Sequence, residues 1–152
     1  HRLLGQWLAG GASNSGGAAL LAHFTPDQMA ALSARIDPET DTGLDYYPLP
    51  SPGERFPIAD PAMPPRITPR PQDDATFLQG LFEGVAGVEA LAFRCLAELG
   101  APPLRSVRSV GGGAANPVWS RIRARRLNVP MPAPLSDEAA FGTALLAMRG
   151  AA

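Results

Sequence analysis

The sequence predicts an α/β domain, and three observations carry that prediction. Apolar residues alternate over Leu3–Gly10 and again over Leu104–Val110, which is the period of a strand. They recur at three- and four-residue spacing from Asp74 to about Leu99, which is the period of a helix. Both alternating runs pass through a glycine-rich turn into a helix-forming run. At 152 residues the chain is expected to be one domain, long enough to bury a real core.

Taken in order, Leu3 to Gly10 reads as a short strand. Gly10-Gly11-Ala12-Ser13-Asn14-Ser15-Gly16-Gly17 then opens a small-residue helix running to Phe24. Ser or Asn caps that helix in one reading, and the loop meets a ligand in the other. Thr25 and Pro26 start a second helix as N-cap and first position, with Met29, Leu32 and Ile36 on one face. From Asp37 to Gln72 the chain is irregular and crowded with proline. Tyr46, Tyr47 and Phe56 favour a structured functional loop there over disorder. Asp73 or Asp74 caps the long helix. Gly80, Gly84 and Gly87 are costly inside it and are expected to let another element pack close. Gly100-Ala101-Pro102-Pro103 ends it, and the central strand Leu104–Val110 follows.

That strand enters Ser109-Val110-Gly111-Gly112-Gly113-Ala114-Ala115-Asn116-Pro117-Val118-Trp119, the stretch around which the chain is organised. The glycines let the backbone turn sharply and approach a ligand closely. Asn116 suits an N-cap and Pro117 the first helical position. A helix start of this kind offers free N–H groups to phosphate or to adenine acceptors. A tight corner and a nucleotide platform are both open on this evidence. The following helix, to about Leu127, carries Arg121, Arg123, Arg125 and Arg126 scattered around it, as a solvated face would. Asn128–Pro132 reads as an edge strand or an extended link. Ser136-Asp137-Glu138 caps a last helix and puts acids in its first turn, with Ala139, Gly142 and Thr143 as a close-packing face.

Composition narrows the chemistry. All 13 basic side chains are Arg, which excludes a Walker-type lysine, a Schiff base and a Ser-Lys dyad. A net charge of −1 argues against a nucleic-acid binder. The single cysteine, Cys95, reads as a small buried apolar residue and fits a reducing cytoplasm. No run is long and apolar enough to span a membrane, and no signal peptide is evident. His1 and His23 stand apart from any metal-ligand cluster. The spacing of Gly-x-Gly-x-x-Gly is missing, which argues against a dinucleotide fold. Glu54-Arg55, between Gly53 and Pro57, reads either as an ion pair pinning the loop or as a cleft lining with Arg55 on a phosphate. The first residue is His, so the chain is expected to begin within something longer.

Four motifs occur in order: Gly10–Gly17; Gly53-Glu54-Arg55-Phe56-Pro57 with Asp60-Pro61; Gly111–Trp119; and Ala139-Ala140-Phe141-Gly142-Thr143-Ala144-Leu145. Together they resemble the C-terminal domain of FGGY-type carbohydrate kinases, most closely the xylulokinase-like and D-ribulose kinase branch. The resemblance implies an actin-like ATPase (ribonuclease-H-like) domain, truncated at its N-terminal hairpin. It implies transfer of a phosphoryl group from ATP with Mg2+ to a sugar hydroxyl, with a ketopentose such as D-ribulose or D-xylulose as substrate. Gly112, Gly113 and Ala114 would pass beneath the adenine, with Asn116 nearby. Glu54 and Arg55 would lie near the cleft, and Gly142 at the interdomain hinge. The catalytic base, the phosphate loop and most of the sugar pocket would lie in an N-terminal domain of the same protein. No metal ligand is expected on this chain. The resemblance also allows a homodimer. Ala62-Met63-Pro64-Pro65-Arg66 departs from the family pattern after Asp60-Pro61. A non-catalytic adenosine-binding module and another actin-like ATPase are the alternatives.

Overall fold

The long helix expected from the 3.6-residue spacing is the axis on which the other elements are laid. In the computed structural model, which describes residues 2–3, 5–136 and 138–150, helix α3 spans Asp74–Glu98. (The helices before it are α1, Gly17–Leu21, and α2, Pro26–Ser33.) Asp73 caps α3 by accepting from the Thr76 N–H at 2.9 Å. Its N-terminal half is buried on nearly every side, Leu78, Leu81 and Ala86 completely. A helix with that burial pattern is a core element rather than a surface one. Around it close Leu20, Phe24 and Ile36 from one direction and Trp119 and Ile122 from another. Helix α4, Pro117–Leu127, and α2 pack directly on α3.

Gly80 and Gly84 of α3 behave as their spacing implies, whereas beside Gly87 only the Arg126 side chain comes near, at 3.6 Å from a Cβ. A Cβ on Gly80 would stand 2.7 Å from Leu44 Cδ1, and one on Gly84 would stand 2.9 Å from the Tyr46 carbonyl oxygen. The element admitted there is the proline-crowded loop, which lies against the helix along Leu44–Pro48. The loop is ordered by its own pairings. Tyr47 and Arg66 exchange backbone hydrogen bonds of 2.7 and 3.0 Å, and the Tyr46 hydroxyl donates to the Pro69 carbonyl. Glu83, buried in α3, accepts from the Thr42 N–H and hydroxyl and from Gln79.

The strands differ from expectation. Leu3–Gly10 is not one strand. β1 (Arg2–Leu3) and β2 (Gln6–Trp7) form an antiparallel hairpin, Arg2 opposite Trp7, because Gly5 at φ +77° reverses the chain. Among the described residues this is the one sheet. Leu104–Val110 forms no strand, and Asn128–Pro132 opens on a left-handed Asn128 at the end of α4; the two share one backbone hydrogen bond, Val107 N–H to the Pro130 carbonyl. Prolines at 130 and 132 lack the N–H groups a ladder requires, so the pairing stops there. The strands expected at Leu104–Val110 and Asn128–Pro132 are therefore not formed, and among the described residues helices accompany one small two-stranded sheet.

Two further corrections concern the helices. The first helix ends at Leu21, and His23 sits in the turn after it rather than in the helix. α5 spans Ala139–Gly150, and no acid stands in its first turn. The Glu138 N–H before it donates to Ser136 Oγ at 3.1 Å, while Asp137 lies outside the described residues. A Cβ on Gly142 would meet nothing within 4 Å, so among the described residues no element packs close at that position.

Candidate functional site

The glycine turn is built by local chemistry. Gly111 takes φ +84°, which favours glycine, and Gly112–Ala115 closes a single 3₁₀ turn. Asn116 then caps α4, its Oδ1 accepting from the Trp119 N–H at 3.1 Å, and Pro117 stands in the first turn. The Asn116 amide also donates to Ser33 Oγ at 2.8 Å. Both ends of that side chain are therefore occupied, and its role is to hold the turn. One side of the turn rests on the Trp119 indole. A Cβ on Gly113 would come 2.5 Å from Trp119 Cζ3, and the indole is in turn stacked on Phe82 at 5.3 Å. The other side is open, since a Cβ on Gly112 would meet nothing within 4 Å.

The turn is braced from below. Arg123 forks onto Glu89 of α3 with two contacts of 2.7 Å and donates its third amine to Ser109 Oγ. This pair is mostly buried, and its bidentate geometry gives it direction as well as charge. The expected solvated arginine face is therefore corrected at Arg123, while Arg121 and Arg126 are exposed as expected. Arg121 pairs with Glu39, and Arg125 with Asp41, so α4 is also fastened to the start of the proline-crowded loop.

A second constellation forms around Glu54. Its carboxylate is 3% exposed yet accepts four hydrogen bonds. Oε1 takes the Asn14 and Arg55 backbone N–H groups at 2.7 and 2.8 Å. Oε2 takes the Ser13 hydroxyl at 2.6 Å and the Tyr47 hydroxyl at 2.9 Å. Burial is the largest single influence on the carboxyl and favours protonation, but these four donors together outweigh it and hold the pKa below its ordinary value. The Tyr47 hydroxyl is pushed up by burial, then by its bond to Glu54 and that group's charge. Glu54 does not pair with the Arg55 guanidinium. It stitches the Gly10–Gly17 turn to the Gly53–Pro57 loop, some forty residues apart in sequence. Arg55 instead extends outward, its Nε donating to Asn14 Oδ1 at 2.8 Å.

A cleft of about 670 Å³ brings the sequence motifs together. Gly10, Gly11 and Ser13 line it from the first turn, Phe56 from the Glu54 loop, and Gly113 and Ala114 from the second turn. Val88, Ala92 and Phe93 of α3 form apolar wall between them. Phe56 packs so closely on Gly11 that a Cβ there would fall 2.2 Å from its ring. Three of the four motifs read from the sequence thus share one cleft.

Residues 3–151 match the model of the FGGY family of carbohydrate kinases, C-terminal domain. The chain belongs to that family. Family membership carries the general chemistry, which is ATP-dependent phosphorylation of a sugar, and the FGGY C-terminal domain is part of the actin-like ATPase fold. FGGY kinases use ATP and typically Mg2+. No group of three or more His, Cys, Asp or Glu among the described residues is placed to hold a metal ion. No helix among them is long and apolar enough to cross a membrane.

Of the other residues singled out, Cys95 is a free, half-buried thiol rather than a buried one. His23 lies edge-on to Phe77 at 5.3 Å, its pKa lowered by burial and then by Arg70. Residues that sequence reasoning passed over are Ser13 and Asn14 as partners of Glu54, Tyr47 as its third anchor, and Trp119 as the floor of the turn. For Asn14 a signal existed: a polar pair amid glycines implies a side chain with work to do on the backbone.

Proposed function

We propose that this chain is the adenosine-binding part of an ATP-dependent kinase that phosphorylates a ketopentose, D-ribulose or D-xylulose. The carrying observation is the half-closed Gly112–Ala115 turn, floored by Trp119, in a chain of this family. Adenine lies on the open side, against the backbone of Gly112, Gly113 and Ala114, and Asn116 keeps the turn in shape without touching the base. Glu54 anchors the neighbouring loop, and Arg55 is the exposed residue before Phe56, which lines the cleft. Positioning and electrostatic clamping of the phosphates supply most of the catalysis in such a reaction. The base that takes the sugar hydroxyl proton and the phosphate loop come from an N-terminal domain of the same cytoplasmic protein. Mg2+ travels with the nucleotide phosphates, and the present residues bind and orient the nucleoside and close half of the cleft.

Two measurements test this. Titration of adenosine into the intact kinase should show binding that Gly113→Ala weakens by about tenfold or more, since the added methyl must displace Trp119. Unchanged affinity would remove the base from this turn. ATP turnover across ketopentoses, polyols and glycerol should be greatest with a ketopentose, and a preference for glycerol or a polyol would sink that assignment. The 152 residues by themselves should transfer no phosphoryl group.

A further inference from the structure

Six arginines among the described residues reach a carboxylate: Arg35, Arg66, Arg70, Arg121, Arg123 and Arg125. Arg55 reaches none, yet it is held more deliberately than most of them. Its backbone N–H is fixed by the buried Glu54 carboxylate at 2.8 Å, and its Nε by the neutral Asn14 Oδ1 at the same distance. Asn14 is itself immobilised, its N–H on Glu54 Oε1 and its amide on the Gly53 carbonyl at 2.9 Å. The guanidinium is thus oriented through one nitrogen while its two terminal amines carry no anionic partner. That is the state in which a planar fork receives two oxygens of one phosphoryl group. The next residue, Phe56, lines the cleft together with Gly113 and Ala114.

We infer that Arg55, next to the cleft-lining Phe56, contacts a phosphoryl group, and that Asn14 is a positioning residue acting through it. The inference rests on the adenosine reading above for the location of the nucleotide. The phosphoryl group belongs either to the nucleotide or to the phosphorylated sugar, and the two sources are separable. Adenosine, ADP and ribulose 5-phosphate are titrated separately against the intact kinase and its Arg55→Gln, Arg55→Lys and Asn14→Ala variants, with thermal unfolding of each as a folding control.

Arg55→Gln should weaken ADP, ribulose 5-phosphate or both by about tenfold or more, and leave adenosine unchanged. Arg55→Lys, which keeps the charge and loses the fork, should fall between. Asn14→Ala should weaken the same ligand in a protein that unfolds close to the parent temperature. A loss confined to ADP identifies the nucleotide, and one confined to ribulose 5-phosphate identifies the sugar. Parent affinity of Arg55→Gln for both phosphorylated ligands overturns the inference, as does an equal loss for adenosine, which would make Arg55 a structural part of the loop. Failure of adenosine to bind the parent protein overturns the adenosine reading instead, and leaves the ribulose 5-phosphate comparison to judge Arg55.

Discussion

Glu54→Gln isolates the most heavily satisfied polar group of the domain. The substitution keeps size and shape, so packing is preserved and the change is one of charge and lone pairs. The amide oxygen still accepts the Asn14 and Arg55 backbone N–H groups. The amide nitrogen now faces the Ser13 and Tyr47 hydroxyls, each of which must rotate to accept where it had donated. Four charge-assisted bonds become neutral ones, and with each losing about half its worth the cost is about 2–4 kcal/mol. In thermal unfolding of the intact kinase, the transition of this domain should fall by about 5–10 °C. The pH dependence supplies a second readout. The folded carboxyl titrates below its usual value of 4.5, so its stabilisation is complete above that pH and is lost as pH falls through the folded value. The gap between parent and variant should therefore narrow in acid below pH 4.5. A variant that unfolds within about 1 °C of the parent at neutral pH would refute the reasoning.

Asp73 gives a related acid signature. The Thr76 N–H, the Thr76 hydroxyl and Arg35, in that order, lower its carboxyl from 3.8 to about 2. The cap's contribution is present above 3.8 and disappears as pH falls towards about 2, so Asp73→Asn, which retains an N-cap acceptor, should flatten stability across that window in circular dichroism melts. An unaltered acid profile would count against it. On α3, Gly84→Ala should destabilise by about 1–2 kcal/mol even after its gain in helix propensity, because the methyl meets the Tyr46 carbonyl oxygen. Gly87→Ala should instead stabilise by about 0.5–1 kcal/mol, its nearest neighbour being the flexible Arg126 side chain at 3.6 Å. Equal denaturation midpoints for these two variants would be the contrary result.

The helices were legible because their determinants are local. Thr25, Pro26 and Gln28 form a complete capping box, Asp73 caps α3, and Asn116-Pro117 starts α4. Strands depend on partners, and alternation alone could not show that Gly5 folds the first run back on itself or that Pro130 and Pro132 stop the second pairing. The turn at Gly111 to Asn116 was legible for the same local reasons as the helices. The clamp on Glu54 was not, since nothing local to Glu54 announces Ser13 and Asn14 as its donors. The arginines of α4 were misread for a similar cause. Helical spacing says where they point around an axis, while the acids at Glu39 and Asp41 arrive from a loop whose path is set by the glycine face of α3.

Helix α4 is attached by two kinds of force, and this divides its dynamics. Near its start, Trp119 and Ile122 are buried and the Arg123 fork is shielded, so amide exchange there should require large-scale opening. By contrast, Arg121 and Arg125 hold exposed carboxylates, contacts that dissolved salt screens over about 8–10 Å. Rising ionic strength should therefore loosen the tie between α4 and the proline-crowded loop while the Arg123 fork keeps α4 on α3. The glycine turn is in this way insulated from the salt-sensitive contacts of the helix that follows it.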